Sequence, residues 1–232
     1  MIAEATAISE DGSGWRNAPH IRTKEHAEAW KKVVDAVHEK DGKIFLQLWH
    51  MGRQTHSSHH PNTKRIVCAG NIPMVGTNTR TIDGQDAEAE TPHALTKEEI
   101  KETIQDYVNA AKLSKEAGFD GVEVHAANGY LIDTFLQSST NNRTDEYGGS
   151  FENRVRFLQE VVEAIVASGA YPANRIGFRI SPNGSFGSMG SEDNVETFLH
   201  VAKTMNQYGL AYRKSTLENE MKLSFSSFCY FF

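Results

Sequence analysis

Asp120-Gly-Val-Glu-Val-His-Ala-Ala-Asn-Gly-Tyr130 is the stretch that decides the fold. Its first half is a short apolar run that reads as a buried strand, and its second half turns into a loop through Asn128-Gly129. Upstream, Thr96-Lys-Glu-Glu99 has the spacing of a capping box, in which Thr and Glu satisfy backbone donors at a helix start. Ile100, Ile104, Tyr107, Val108 and Ala111 then share one helical face, and Gly118 stops that helix just before the strand. Downstream, residues 151–168 predict a helix with Val155, Leu158, Val162 and Ile165 inward, and residues 175–180 predict the next strand.

The alternation continues in both directions. Residues 1–8 and 43–49 read as strands, and Thr23 caps a helix whose Trp30, Val33, Val34 and Val37 recur at three and four, ending near Asp41-Gly42. Residues 191–208 predict a last helix with Val195, Phe198, Leu199, Ala202 and Met205 inward. Strands alternating with helices of this length imply a parallel sheet with right-handed crossovers. Polar residues gather at strand C-terminal ends: Glu4 and Thr6, Gln47, His125, Arg179. A (β/α)8 barrel carries its active site there, as does a doubly wound sheet, but no Gly-x-Gly-x-x-Gly follows any strand. Residues 51–94 are too long for a simple connection and predict a functional loop with a small hairpin.

Composition bounds the function. The chain has 232 residues, 39% hydrophobic and 23% charged, which suits a soluble protein with a real core. A net charge of −6 argues against nucleic acid or an anionic membrane as partner, and no apolar run approaches a membrane span. Two cysteines, Cys68 and Cys229, form no disulfide framework, so a reducing, cytoplasmic setting is expected.

His125 and Asn128, three apart past a strand end, can aim two donors at one oxygen, and Tyr130 can supply a proton beside it. That arrangement suits polarising a carbonyl group and protonating a neighbouring carbon. On the residues alone, a satisfied histidine beside a turn-forming Asn-Gly accounts for the pattern equally well, and a metal-dependent barrel lyase is a further enzymatic alternative. His50, His56, His59 and His60 share one loop, but no Cys or carboxylate set completes a tetrahedral spacing, so they read as loop residues without a metal.

His125-Ala-Ala-Asn-Gly-Tyr-Leu-Ile-Asp-Thr-Phe-Leu136, followed by Asn142-Arg-Thr-Asp-Glu-Tyr-Gly-Gly-Ser-Phe-Glu-Asn-Arg154, resembles the old yellow enzyme family of FMN-dependent ene-reductases, which includes the 12-oxophytodienoate reductases. Ile44-Phe-Leu-Gln-Leu-Trp49 and Ile176-Gly-Phe-Arg-Ile-Ser-Pro182 are similar to two further strands of that family. The resemblance implies a partial (β/α)8 TIM barrel: family strands two to five and the start of the sixth at residues 209–212. Residues 1–212 are then an incomplete FMN-binding domain, and residues 213–232 leave the family pattern and read as a non-homologous tail.

The resemblance also implies roles. Gln47 would hydrogen-bond the flavin pyrimidine edge, Arg179 would stand beside flavin N1 and the C2 oxygen, and the backbone at Ala5 would approach the ring. His125 and Asn128 would bind the substrate carbonyl oxygen, and Tyr130 would donate the proton. Trp15 and Trp49 would line the pocket, and Arg143, Asp145, Tyr147, Gly148 and Gly149 would shape a loop. The implied activity is reduction of the C=C bond of an enone or enal with NAD(P)H as electron source. The alternative is a truncated product that holds no FMN and associates with itself through open barrel edges.

Overall fold

A computed structural model describes residues 1–215 of the protein. Five strands form one parallel sheet: β1 (Ile2–Ala7), β2 (Phe45–Trp49), β7 (Gly121–His125), β8 (Ile176–Ile180) and β9 (Tyr212–Ser215). Between β2 and β7 lie four short strands. β3 (Val67–Cys68) pairs in parallel with β6 (His93–Ala94), and β4 (Asn78–Arg80) forms an antiparallel hairpin with β5 (Asp86–Glu88), the small hairpin expected in that loop.

Helix α1 (Lys24–His38) connects β1 to β2, α2 (Lys97–Glu116) precedes β7, and α3 (Leu131–Leu136) and α4 (Phe151–Ala167) separate β7 from β8. Helix α5 (Asn194–Met205) leads to β9. Strand order in the main sheet follows chain order without reversal, so each β/α unit adds beside the last. A doubly wound sheet reverses at a switch point, and this one does not. The architecture is that of a partial (β/α)8 barrel.

The helix starts follow from their caps. Thr96 and Glu99 form the complete capping box, Thr23 accepts from the His26 N–H, and Ser150 accepts from the Asn153 N–H. Helix α1 ends at His38, a little before Asp41, which takes a left-handed φ of 55°. Helix α5 differs from expectation in its facing. Phe198, Val201 and Met205 are buried, whereas Val195 and Leu199 are 37% and 44% exposed. Arg154 Nη2 donates to Thr197 Oγ1 at 3.2 Å, which turns the Thr197 side of the helix inward.

Register divides the strands into two faces. Leu46, Leu48, Val122, Val124, Ile176, Phe178 and Ile180 belong to the core shared with the helices. The alternate residues point the other way, in rows across the sheet. One row runs Ala5, Gln47, Glu123, Gly177, Tyr212, and the next carries His125, Arg179, Lys214. Two glycines make room for rings on this face. A Cβ at Gly121 would run into the Phe45 ring, and one at Gly177 into the Tyr212 ring. The Phe45 and Tyr212 rings then meet at 5.9 Å. Strand β9 starts at Tyr212 and continues to Ser215, so sheet pairing runs past the 212 boundary drawn from the sequence. The rest of the tail, 216–232, lies outside the described residues.

Candidate active site

Strand β7 delivers His125 to the C-terminal edge of the sheet, where its imidazole is 2% exposed. The Ala127 N–H donates to His125 Nδ1 at 3.4 Å, which puts the ring proton on Nε2. Burial, then the charges of Arg179 and Lys214, push the imidazole down to about 3. At neutral pH this is an uncharged donor.

The Tyr130 ring meets His125 edge to face at 4.9 Å and Trp49 at 5.2 Å. Burial raises the Tyr130 phenol above its ordinary range, opposed by the Trp15 side chain and by Arg179. The phenol is therefore held protonated beside the histidine. Asn128, between the two in the chain, has φ 57°, a left-handed conformation that suits Asn and that turns the chain sharply after the strand.

That strained turn is held from several sides. The Asn128 N–H donates to Ser181 Oγ at 2.7 Å, and the Gln54 carboxamide donates to the Asn128 carbonyl. Asp133, one turn into α3 and fully buried, accepts from the Gly129 N–H at 2.8 Å, from Gln137 Nε2 at 3.1 Å and from Ser181 Oγ at 3.4 Å. Burial pushes the Asp133 carboxyl up to about 6, against the pull of those donors and of Arg53. Sequence reasoning misses Asp133, Ser181 and Gln54. The available signal is a lone carboxylate inside the apolar run Leu131-Ile-Asp-Thr-Phe-Leu136, all of which is buried.

The opposite wall of the site comes from β1 and β2. A cleft of about 350 Å³ is lined by Glu4, Ala5, Trp15, Trp49 and Tyr130, with residues 16–18 closing one side. Trp15 is half exposed and Trp49 is buried. Gln47 is buried next to Glu123, and its Nε2 donates to Glu123 Oε1. Arg179 stands in register beside His125, and its carbonyl accepts from the Ala126 N–H at 2.9 Å. Ala5, Gln47, His125, Asn128, Tyr130 and Arg179 thus come from four neighbouring strands and one turn at the same end of the sheet. A neutral amide, a guanidinium and a small residue beside an aromatic-walled cleft suit the polar edge and flat face of a flavin ring.

The four histidines of the loop after β2 have separate structural partners. His50 Nδ1 accepts from the Gly52 N–H, and burial pushes that ring down to about 3. His60 faces the Arg65 and Ser13 carbonyls, His56 accepts from the Ser58 N–H, and His59 meets the Arg80 carbonyl. Among the described residues no group of three His, Cys, Asp or Glu is arranged to hold a metal ion. Arg143 binds Asp145 and donates to the Ala69 and Leu95 carbonyls, and the Tyr147 hydroxyl donates to Glu160. Those residues shape the loop after α3.

The sequence profile of the NADH:flavin oxidoreductase / NADH oxidase family matches residues 1–228. The chain is 43% identical over 213 residues to 12-oxophytodienoate reductase 2 of Arabidopsis thaliana, covering 91% of this chain and 56% of that protein. It is 42% identical over 215 residues to a probable flavin mononucleotide-dependent alkene reductase of Leishmania infantum, covering 91% and 58%. Among solved structures, an old yellow enzyme homologue from Zymomonas mobilis superposes with a TM-score of 0.87 at 39% identity, over 93% of this chain and 59% of that one. Morphinone reductase in complex with tetrahydroNAD superposes with the same score at 39% identity, over 92% and 60%. The chain spans a little over half the length of these relatives.

Proposed function

This chain belongs to the NADH:flavin oxidoreductase / NADH oxidase family, and from that premise we propose that its strand-end cleft holds FMN and reduces the C=C bond of α,β-unsaturated carbonyl compounds with electrons from NAD(P)H. The observation that carries the proposal is the corner after β7. There a neutral histidine, protonated on Nε2, lies against a protonated tyrosine, and the backbone of the asparagine that stands between them in the chain is held by Ser181 and Gln54. Bound in the cleft, FMN would supply the hydride-transfer chemistry. His125 and Asn128 bind the carbonyl oxygen and draw electron density toward it, each such donor worth about 2.7–4 kcal/mol on a developing oxyanion. Tyr130 gives its proton to the α-carbon. Gln47 and Arg179 hold the flavin edge, with the Arg179 charge favouring an anionic ring, and Ala5 leaves space for its face.

Cys68 is buried with a free thiol, in keeping with a reducing, cytoplasmic setting. No helix among the described residues is long and apolar enough to cross a membrane. A second reading, that this chain holds no FMN and associates through its sheet, draws support from β1 and β9. Among the described residues each has one neighbouring strand in the main sheet, and the outer side of β1 is met only at Ala7, by a bridge to His20.

Flavin fluorescence on titration with FMN separates the two readings. Quenching that saturates is the expected result, and unquenched flavin together with a concentration-dependent oligomer establishes the second. In the loaded protein, Tyr130→Phe should slow enone-driven flavin reoxidation about a hundredfold or more, and leave flavin reduction by NAD(P)H within a few-fold. Equal slowing of both half-reactions would remove the proton-donor role.

A further inference from the structure

We propose that Glu123 is a positioning residue that locks the orientation of the Gln47 carboxamide, so that Gln47 offers its oxygen, and not its amino group, to the N3–H of a flavin edge. The second half of the proposal rests on the flavin reading above.

Glu123 lies in the middle of β7, 0% exposed, on the face of the sheet turned away from the helices. In its row it is flanked by Gln47 on one side and by Gly177, then Tyr212, on the other. Gln47 has Ala5 as its other neighbour in the row. Ala5 has no polar side-chain atom, so within the row only Glu123 can partner the Gln47 amide. The contact is made: Gln47 Nε2 donates to Glu123 Oε1. A carboxylate only accepts, whereas a carboxamide has one accepting and one donating end. With its amino group committed to Glu123, Gln47 has its oxygen left for a ligand. The flipped amide would set two acceptors against each other in a buried place, which costs a full hydrogen bond and a desolvated group.

Glu123 Oε2 and the Tyr212 hydroxyl are both buried. The Tyr212 ring fills the space over Gly177, and burial first, then the charge of the Glu123 carboxylate and its hydrogen bonding to the phenol, raise that phenol above the ordinary range. Glu123 therefore stands between the Tyr212 phenol on one side and the Gln47 amide on the other. A buried acidic group without a cation beside it costs stability. Its effect is on the residue beside it.

The test has one readout without ligand and one with it. In the nitrogen-15 spectrum of the chain, the Gln47 side-chain amide should show slowly exchanging protons, assigned by their loss in Gln47→Ala. Glu123→Leu, similar in volume and unable to accept, should speed that exchange at least tenfold. Glu123→Gln guards against misfolding of the leucine variant, because its own amide can present either end and should leave Gln47 averaged between two orientations. With nitrogen-15 labelled FMN bound, the flavin N3–H should exchange slowly in the wild type and about tenfold faster in both variants, the factor expected for one hydrogen bond of ordinary strength. Unchanged Gln47 protection in Glu123→Leu overturns the lock. Unchanged N3–H protection in both variants overturns the assignment of the Gln47 oxygen. Labelled FMN that stays free with the wild type overturns the flavin reading and that assignment with it, while the Gln47 exchange rates still decide the lock.

Discussion

The loops that leave β2 and β7 start side by side and are built on opposite plans. After β7, the turn at 127–130 is pinned at nearly every backbone group. Asn128 N–H goes to Ser181, Gly129 N–H to Asp133, and Leu131 N–H to the His50 carbonyl. After β2, residues 51–94 wander through a hairpin with Ile82 at its tip 48% accessible, and Val75 just before it is 76% accessible. Part of that excursion is tied to the body by one side chain. Arg53, 1% exposed, donates to the carbonyls of Ile72, Pro73, Gly187 and Ser188 at 2.8–3.2 Å. The short loop spreads its restraint over many weak bonds and gains a precise turn. The long loop is tied at separate points along its length, by Arg53, by His60 on the Ser13 carbonyl, by Ser188 on Val75 and by Arg143 on the Ala69 carbonyl, and gains attachment.

The sharpest way to break that contrast is Arg53→Ala. It strands four carbonyl acceptors and leaves a void, so it should cost at least about 3 kcal/mol, read from the midpoint of urea unfolding. A loss under about 1 kcal/mol would mean the long loop is held elsewhere.

A comparable effect with a pH signature is expected at Asp133. Its carboxyl is pushed from 3.8 up to about 6 in the folded protein. A raised carboxyl favours the fold below its unfolded value, and that contribution is lost as pH rises through the folded one. The difference between the two values corresponds to about 3 kcal/mol. Asp106 is pushed the same way, also to about 6, while Glu99 is pulled down to about 2, so the total profile mixes signs. The difference between Asp133→Asn and wild type isolates the one group. The variant should gain stability relative to wild type as pH goes from 4 to 7, and a flat difference would clear Asp133 of the charge cost.

The smallest effects compare two glycines of the same backbone hand. Gly129, in the pinned turn, has φ 72°, and a Cβ there would meet Gln54 Nε2 at 2.5 Å and Met189 Cγ at 2.6 Å. Gly84, at the hairpin tip, has φ 81° and open space around it. Gly129→Ala should cost about 2–3 kcal/mol and Gly84→Ala about 1 kcal/mol, the conformational share alone. Equal costs in chemical denaturation would show that crowding around the pinned turn is relieved by movement.

The pinned turn also marks where sequence stops being legible. His125, Asn128 and Tyr130 stand within six residues of one another, so their convergence can be read along the chain. The caps at Thr23, Thr96 and Ser150 are equally local. Ser181 reaches Asn128 across 53 positions, and Arg53 reaches Gly187 across 134. Such partners are set by which strand ends lie together, and no local pattern encodes that. Helix α5 shows a subtler limit. Its apolar residues fit more than one inward stripe, and the choice falls to Arg154, a residue on another helix.

Strand order that follows chain order has a consequence in time. On a ribosome the amino end emerges first, and domains begin to organise during synthesis. Here the edge that each new strand of the main sheet joins has already been made when that strand appears, because β2 joins β1, β7 joins β2, β8 joins β7 and β9 joins β8. Among the described residues no strand of the main sheet is inserted between two made earlier, as the central strands of a doubly wound sheet can be. The connections differ in length, and the one from β2 to β7, which carries residues 51–94 as well as α2, has the largest closure entropy. The sheet can therefore assemble at the pace of translation, each new strand adding to the edge made just before it.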